Sequence, residues 1–180
     1  MITKRIRIYV TLMTAFLLPS SIAIAQSKAL GVSFSFTGIS VSYEMYSRQT
    51  DSFVDLEINA ENCEFYAGRS RHPGISASAS WNYILKDYKS SDIASVQLFA
   101  GPGLTIGYCS DYKAVDGFLF GLKGRVGAQF SFDKKVIISA SLAPVIGSHI
   151  IIDNDSVKMK YYRNGLQYAL LPEIGIKYRF

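Results

Sequence analysis

Residues 173–180 read Glu-Ile-Gly-Ile-Lys-Tyr-Arg-Phe. Ile174, Ile176, Tyr178 and Phe180 fall in one register, and Glu173, Lys177 and Arg179 fall in the other, with Gly175 among them. A period of two places successive side chains on opposite faces of a strand and is incompatible with a helical stripe. One face of the segment is therefore apolar and the other charged. Which of the two meets water decides the fold.

The same period recurs along the chain. A first run sets Leu30, Val32, Phe34 and Phe36 against Gly31, Ser33, Ser35 and Thr37; Thr37-Gly38 suits a two-residue hairpin turn. The phase then changes, with Ile39, Val41, Tyr43 and Met45 against Ser40, Ser42, Glu44 and Tyr46. A third strand sets Val54, Leu56, Ile58 and Ala60 against Asp55, Glu57, Asn59 and Glu61, and a fourth, after the turn-like stretch 68–74, sets Ile75 to Tyr83 against Ser76 to Asn82. The fifth and sixth run from Ala94 to Ile106 and from Phe118 to Ser131. The seventh runs from Val136 to Gly147 and the last from Gln167 to Phe180, which makes eight, an even number. No helix, repeat or low-complexity linker interrupts them. Turns on one side are short; the other side carries a long loop around Ile150 to Gly165.

The first residues are of another kind. Lys4, Arg5 and Arg7 precede an apolar run from Ile8 to Leu18, then Pro19 and a small-residue site at Ala23-Ile24-Ala25. This is the pattern of a Sec signal peptide over residues 1–25, leaving residues 26–180 as one domain. Its removal leaves sixteen basic residues against fourteen acidic ones, so the mature net charge falls from +5 to +2 and gives no argument for nucleic acid. After Leu18 no apolar run is long enough for a membrane helix. Any meeting with a membrane is made by strands.

In a soluble sandwich the apolar faces meet inside; in a membrane barrel they point outward to lipid and the polar faces fill the interior. Most of the segments reach the roughly 9–11 residues that a tilted strand needs to span a bilayer, longer than the ~5–6 usual in soluble sheets. Tyr43, Tyr83, Tyr108 and Tyr178 edge the apolar face, as in the aromatic girdles of lipid interfaces. The reading is an all-β, eight-stranded antiparallel transmembrane β-barrel. The terminal stretch, with Gly175, Tyr178 and a final Phe180, resembles the C-terminal signal by which bacterial outer-membrane barrels are recognised for insertion. The chain from about residue 28 onward resembles the small eight-stranded barrels of the OmpA and OmpX type and the outer-membrane barrel families of unassigned function. The short first hairpin departs from that pattern. The resemblance implies location in a Gram-negative outer membrane after Sec export. It also implies contact with outer-membrane lipid and lipopolysaccharide, and use of the barrel-assembly machinery, with Gly175, Tyr178 and Phe180 as the assembly signal.

The inward face collects Glu44, Asp55, Glu57, Glu61 and Glu173 against Lys86, Lys123, Arg125, Lys177 and Arg179. Eight strands enclose an interior that side chains fill, and buried charges need partners. These ten residues are therefore expected to form an interior ion-pair network. Asp55 and Glu57, two apart on a strand, could be read as a carboxylate pair for glycoside chemistry, but nothing supplies a sugar cleft.

Ser148-His149 invites comparison with lipid-modifying barrels resembling lipid A deacylases. Neighbouring strand residues point to opposite faces, the family's His-x-Ser spacing is absent, and His72 sits in a turn beside Pro73. Cys63 and Cys109 both fall inward, and an exported chain favours a disulfide. With the fourth strand between them the gap is about 10 Å, so a bond requires both to have left the ladder. No residue set suggests a cofactor or a metal. The expected role is structural or surface-interacting, with Lys158 to Tyr162 suited to anionic headgroups or a surface partner. A lipid-modifying enzyme and a soluble periplasmic ligand-binding barrel are the alternatives.

Overall fold

The computed structural model describes residues 27–47, 50–64, 69–89, 94–111, 115–153, 156–167 and 169–180, without the side chains of 62–64, 69–73, 89 and 153. The expected signal peptide, residues 1–25, lies outside the described residues. The strands are β1 (Lys28–Phe34), β2 (Gly38–Tyr46), β3 (Ser52–Glu64), β4 (Arg69–Lys89), β5 (Ala94–Asp111) and β6 (Val115–Phe132). They continue with β7 (Val136–Leu142), β8 (Val145–Asp153), β9 (Ser156–Tyr161) and β10 (Glu173–Arg179), and one helical turn, α1 (Asn164–Gln167), precedes β10.

Each strand from β1 to β7 is antiparallel to the next, β10 pairs with β7, and β10 closes on β1 through Leu30↔Tyr178 and Val32↔Ile176. The ring has eight positions, as the alternation predicts. Closure removes the sheet edges that an open sheet would leave unpaired. β7 and β8 both pair with β6 and are two halves of one strand, parted at Ala143-Pro144. Pro144 has no N–H to give the ladder, while its carbonyl still accepts the Gly124 N–H at 2.8 Å.

The outward face is apolar, and the inward face is polar through the middle of the wall. On β1 and β2, Leu30, Val32, Phe34, Ile39 and Val41 are exposed, while Ser33, Ser40, Ser42 and Glu44 are buried. On β6, Phe118, Phe120 and Leu122 are exposed, while Lys123 and Arg125 are buried. Aromatics edge the apolar belt: Trp81 stacks on Tyr83 with centroids 6.3 Å apart toward the chain-terminal end, and Tyr108 meets the edge of Phe118 at 5.2 Å toward the other. Among the described residues no helix is long and apolar enough to cross a membrane.

The ladder departs from the sequence reading at several points. The first hairpin turns on Phe36-Thr37, closed by Ser35 N–H to Gly38 O at 2.9 Å, so Gly38 opens β2 instead of sitting in the turn. β4 starts at Arg69, inside the stretch read as a turn, and the register against β3 shifts between Glu61 and Cys63. Much of the stretch read as a long loop is a hairpin: β8 and β9 pair, with Ile150↔Met159 and Ile152↔Val157, and extend the wall beyond the ring. A helical turn that the alternation gave no sign of follows it, and β10 begins at Glu173 because Gln167 is spent in α1. On the terminal side, the β6–β7 hairpin takes Asp133 and Lys134 at φ 47° and 57°. Positive φ at both central residues makes it a type I′ turn, whose twist matches the strands.

Candidate functional site

The barrel interior is built in four layers, each from inward positions of several strands. The floor, at the end where the chain termini meet, is apolar. Ala29, Tyr46, Phe53, Phe99 and Ile137 cluster there, and Phe53 lies 5.2 Å from both Tyr46 and Phe99. Sequence reasoning treated the inward face as polar and so missed Phe53, Phe99 and Ile137. Their signal was present as apolar residues in the inward register. Arg179, expected in the ion network, instead lies over the Tyr46 ring at 4.5 Å, a cation–π arrangement.

Above the floor, six charges alternate in sign. Lys177 Nζ binds Glu44 Oε1 at 2.5 Å and approaches Asp55 Oδ2 at 3.5 Å. Arg125 bonds Asp55 and reaches Glu57 Oε1 at 3.3 Å, and Lys123 bonds Glu57. Neutral groups fill some of the remaining valences, while Asp55 Oδ1 accepts no hydrogen bond. Gln129 donates to Glu44 at 2.9 Å, Tyr46 donates to Glu44 at 2.6 Å, Ser78 donates to Glu57 at 3.2 Å, and Arg125 Nε donates to Ser141 at 3.3 Å. Three acids and three bases make the layer neutral, which is the condition for keeping charge away from water.

The structure does not bring all ten expected charges together. Lys86 is the clear correction. The register between β4 and β5 shifts between Ile84 and Lys86, so Lys86 stands opposite the outward Leu98 and its ammonium lies 4.8 Å over the Tyr88 ring. One extra residue, Leu85, reverses the phase of everything after it. Glu61 is buried and accepts the Ser76 hydroxyl at 3.3 Å, one layer above the six. Glu173 is half-buried at the same level.

That third layer is a cavity of about 90 Å³, lined by Glu61, Lys123, Glu173, Asn164, Thr105 and the β1–β2 turn. The fourth layer covers part of it. Tyr162 is buried with Cys109 and Leu119, and Asp111 accepts the backbone N–H groups of Arg163 and Asn164, both at 3.1 Å. Asp111 thus caps α1 from another strand, satisfying donors that a helix start leaves open. Asn164 Nδ2 donates to Ser110 O at 3.2 Å, and His149 Nε2 lies 2.9 Å from Cys109 O.

Ser148 and His149 occupy opposite faces: His149 is buried against β5, while Ser148 stands opposite Tyr161 in the outward register of Phe120 and Ile150. Cys109 Sγ is 4.0 Å from Tyr162 Oη. The side chains of Cys63 and His72 lie outside the described residues, so the Cys63–Cys109 bond keeps the standing of an expectation. Asp55 and Glu57 are taken up by Arg125, Lys123 and Lys177 and face no cleft.

A closed eight-position ring with an apolar outside and a charged inside defines the class: an outer-membrane-type β-barrel. Among solved structures, the N-terminal barrel domain of Pseudomonas aeruginosa OprF superposes with a TM-score of 0.54 at 11% identity, covering 86% of this chain and 97% of that one. A major outer membrane protein from Thermus thermophilus gives 0.50 at 10% identity, covering 87% of this chain and all of the other. At these identities the likeness is one of fold. No family model and no curated protein matches the chain.

Proposed function

We propose that the protein is a closed, non-conducting barrel of a Gram-negative outer membrane, reached after Sec export, with a structural or surface-interaction role. Both termini face the periplasm in this reading. The β8–β9 hairpin and the Tyr162–Gln167 cap face outward from the cell. One observation carries it: the ring buries a layer of acids and bases and exposes its aliphatic side chains. That distribution is stable only where the surroundings of the outward face are hydrocarbon.

The role follows from what the interior lacks. Eight strands leave no open channel once their side chains are packed, and here an aromatic floor and a hydrogen-bonded cap lie to either side of the ion layer. Work at the surface falls to the hairpin, whose outward side carries Val157, Met159 and Tyr161 and whose other side carries Lys158 and Lys160. Apolar groups continuous with the lipid belt and lysines beside them suit lipopolysaccharide, with its acyl chains and anionic headgroups. Tyr178 on β10 and Phe180 just past it, both outward at the seam that closes the ring, with Gly175 inward on the same strand, suit recognition by the assembly machinery.

Fractionation tests the reading. The protein should stay with carbonate-washed outer membranes and migrate differently on gels before and after boiling. Recovery in the soluble periplasm, with no heat-dependent shift, would overturn it.

A further inference from the structure

The cavity beneath the cap is lined by acceptors whose donors are missing. We infer that it binds a small organic cation carrying a primary ammonium group. Asn164 is 2% exposed; its Nδ2 is engaged by Ser110 and its Oδ1 accepts no hydrogen bond. Glu173 lines the same space, and its buried Oε2 also accepts none. Glu61 adds a second carboxylate from β3, and Ser35, Thr37 and Thr105 add hydroxyls. A buried acceptor left without a donor is costly, and a charged one more so.

Lys123 lines the cavity too, but its ammonium is held by Glu57 and by Ser78 at 3.2 Å in the layer below. Glu173 shares the cavity with Lys123, but the short contacts of that ammonium are to Glu57 and Ser78, and Glu173 Oε2 accepts no hydrogen bond.

The donor set selects the ligand. Among the described residues no group of three or more His, Cys, Asp or Glu side chains is arranged to hold a metal ion, and a divalent cation such as calcium asks for six to eight oxygens. A primary ammonium places three N–H donors and one positive charge on a single atom, which matches one carboxylate, one amide oxygen and a hydroxyl. About 90 Å³ admits a ligand of a few heavy atoms, a water taking ~30 Å³. The β1–β2 turn forms one side of the cavity, where β1 and β2 stop at Phe34 and Gly38 while β3 runs on to Glu64.

The test is a titration of the isotopically labelled barrel in detergent micelles, following backbone amides by NMR. Ethanolamine and methylammonium are the probes, with tetramethylammonium and calcium in parallel at constant ionic strength. Both primary amines should give saturable shifts at Ser35, Thr37, Asn164 and Gly165, and tetramethylammonium none. Glu173→Gln should raise the dissociation constant about tenfold or more, as loss of a charged hydrogen bond does, with the remaining spectrum unchanged. Glu61→Gln serves the same purpose if the first variant fails to fold. Absence of saturation by either amine, an equal response to tetramethylammonium, or tighter saturation by calcium would each overturn the assignment.

Discussion

Arg125→Met removes a guanidinium while keeping an unbranched stem that matches the arginine only from Cβ to Nε, and it should unbalance the ion layer. Asp55 would retain only Lys177, 3.5 Å away and already bound to Glu44 at 2.5 Å. Glu57 keeps Lys123 and Ser78. The layer changes from three acids and three bases to three and two, with the Asp55 and Arg125 side chains essentially inaccessible to water in the parent. At an effective dielectric near 20, a unit pair at this range attracts by about 5 kcal/mol. Part of that repays desolvation, and removing one partner of a buried pair typically costs ~3–5 kcal/mol. The double variant Asp55→Asn with Arg125→Met removes both charges and should recover most of the loss. The assay is urea unfolding of the barrel in lipid vesicles, followed by Trp81, the single tryptophan, which lies on the outward face. Equal destabilisation of the single and double variants, or a single variant within ~1 kcal/mol of the parent, would refute the reasoning, because the charges would then be solvated as surface pairs are.

Three further outcomes are expected. Ile176→Arg, on the outward face of β10, should cost ~2–4 kcal/mol in vesicles, as charges on lipid-facing barrel positions do; a neutral effect would argue that this face meets water. Asp111→Ala removes the acceptor for two backbone donors at the start of α1 and should loosen the cap by ~1–2 kcal/mol. Hydrogen exchange should accelerate by about tenfold over residues 162–167, with the global unfolding midpoint nearly unmoved; unchanged exchange would show that Asp111 does not hold the cap. Gly175→Val would place a Cβ 2.6 Å from Ser33 Oγ and 2.7 Å from Ser139 Oγ. It should lower the yield of closed barrel and destabilise what closes by ~1–3 kcal/mol, and a normal yield of heat-modifiable protein would count against tight packing at the seam.

The ring was legible because the side-chain period of a strand is local: Ile174, Ile176 and Tyr178 need only their own alternation to share a face. Strand count and the inward register of the six central charges follow from the same rule, which did not separate those six from the other four. What could not be read was anything that changes phase or leaves the ladder. Leu85 is one residue, apolar like its neighbours, and nothing in its type announces that it bulges; yet it carries Lys86 from the interior to the rim. Ala143-Pro144 was visible as a proline, but whether it ends a strand or only interrupts it depends on β6 continuing beside both halves. The cap was hidden for a different reason. Its anchor, Asp111, lies more than fifty residues from Arg163 and Asn164, and an aspartate at a strand end looks like any turn residue.

The partners within the ion layer follow from geometry across the ring. Glu44, Asp55 and Glu57 come from β2 and β3, Lys123 and Arg125 from β6, and Lys177 from β10. Long side chains from so many strands fit inside eight only if another part of the wall is thin. β4 and β5 supply it, with Ser76, Ser78 and Ser80 on one and Gly101, Gly103, Thr105 and Gly107 on the other facing inward. At Gly103 a Cβ would already stand 2.6 Å from Ala79 O and 2.8 Å from Ser80 Cβ. β4 stands four places from β10 around the ring in either direction, so the thin wall lies across from Lys177. The serine and glycine alternation of the middle strands, which by itself looks like weak sheet-forming sequence, is therefore what makes room for the charges. A larger residue at Gly103 would have to displace either a strand or an ion pair.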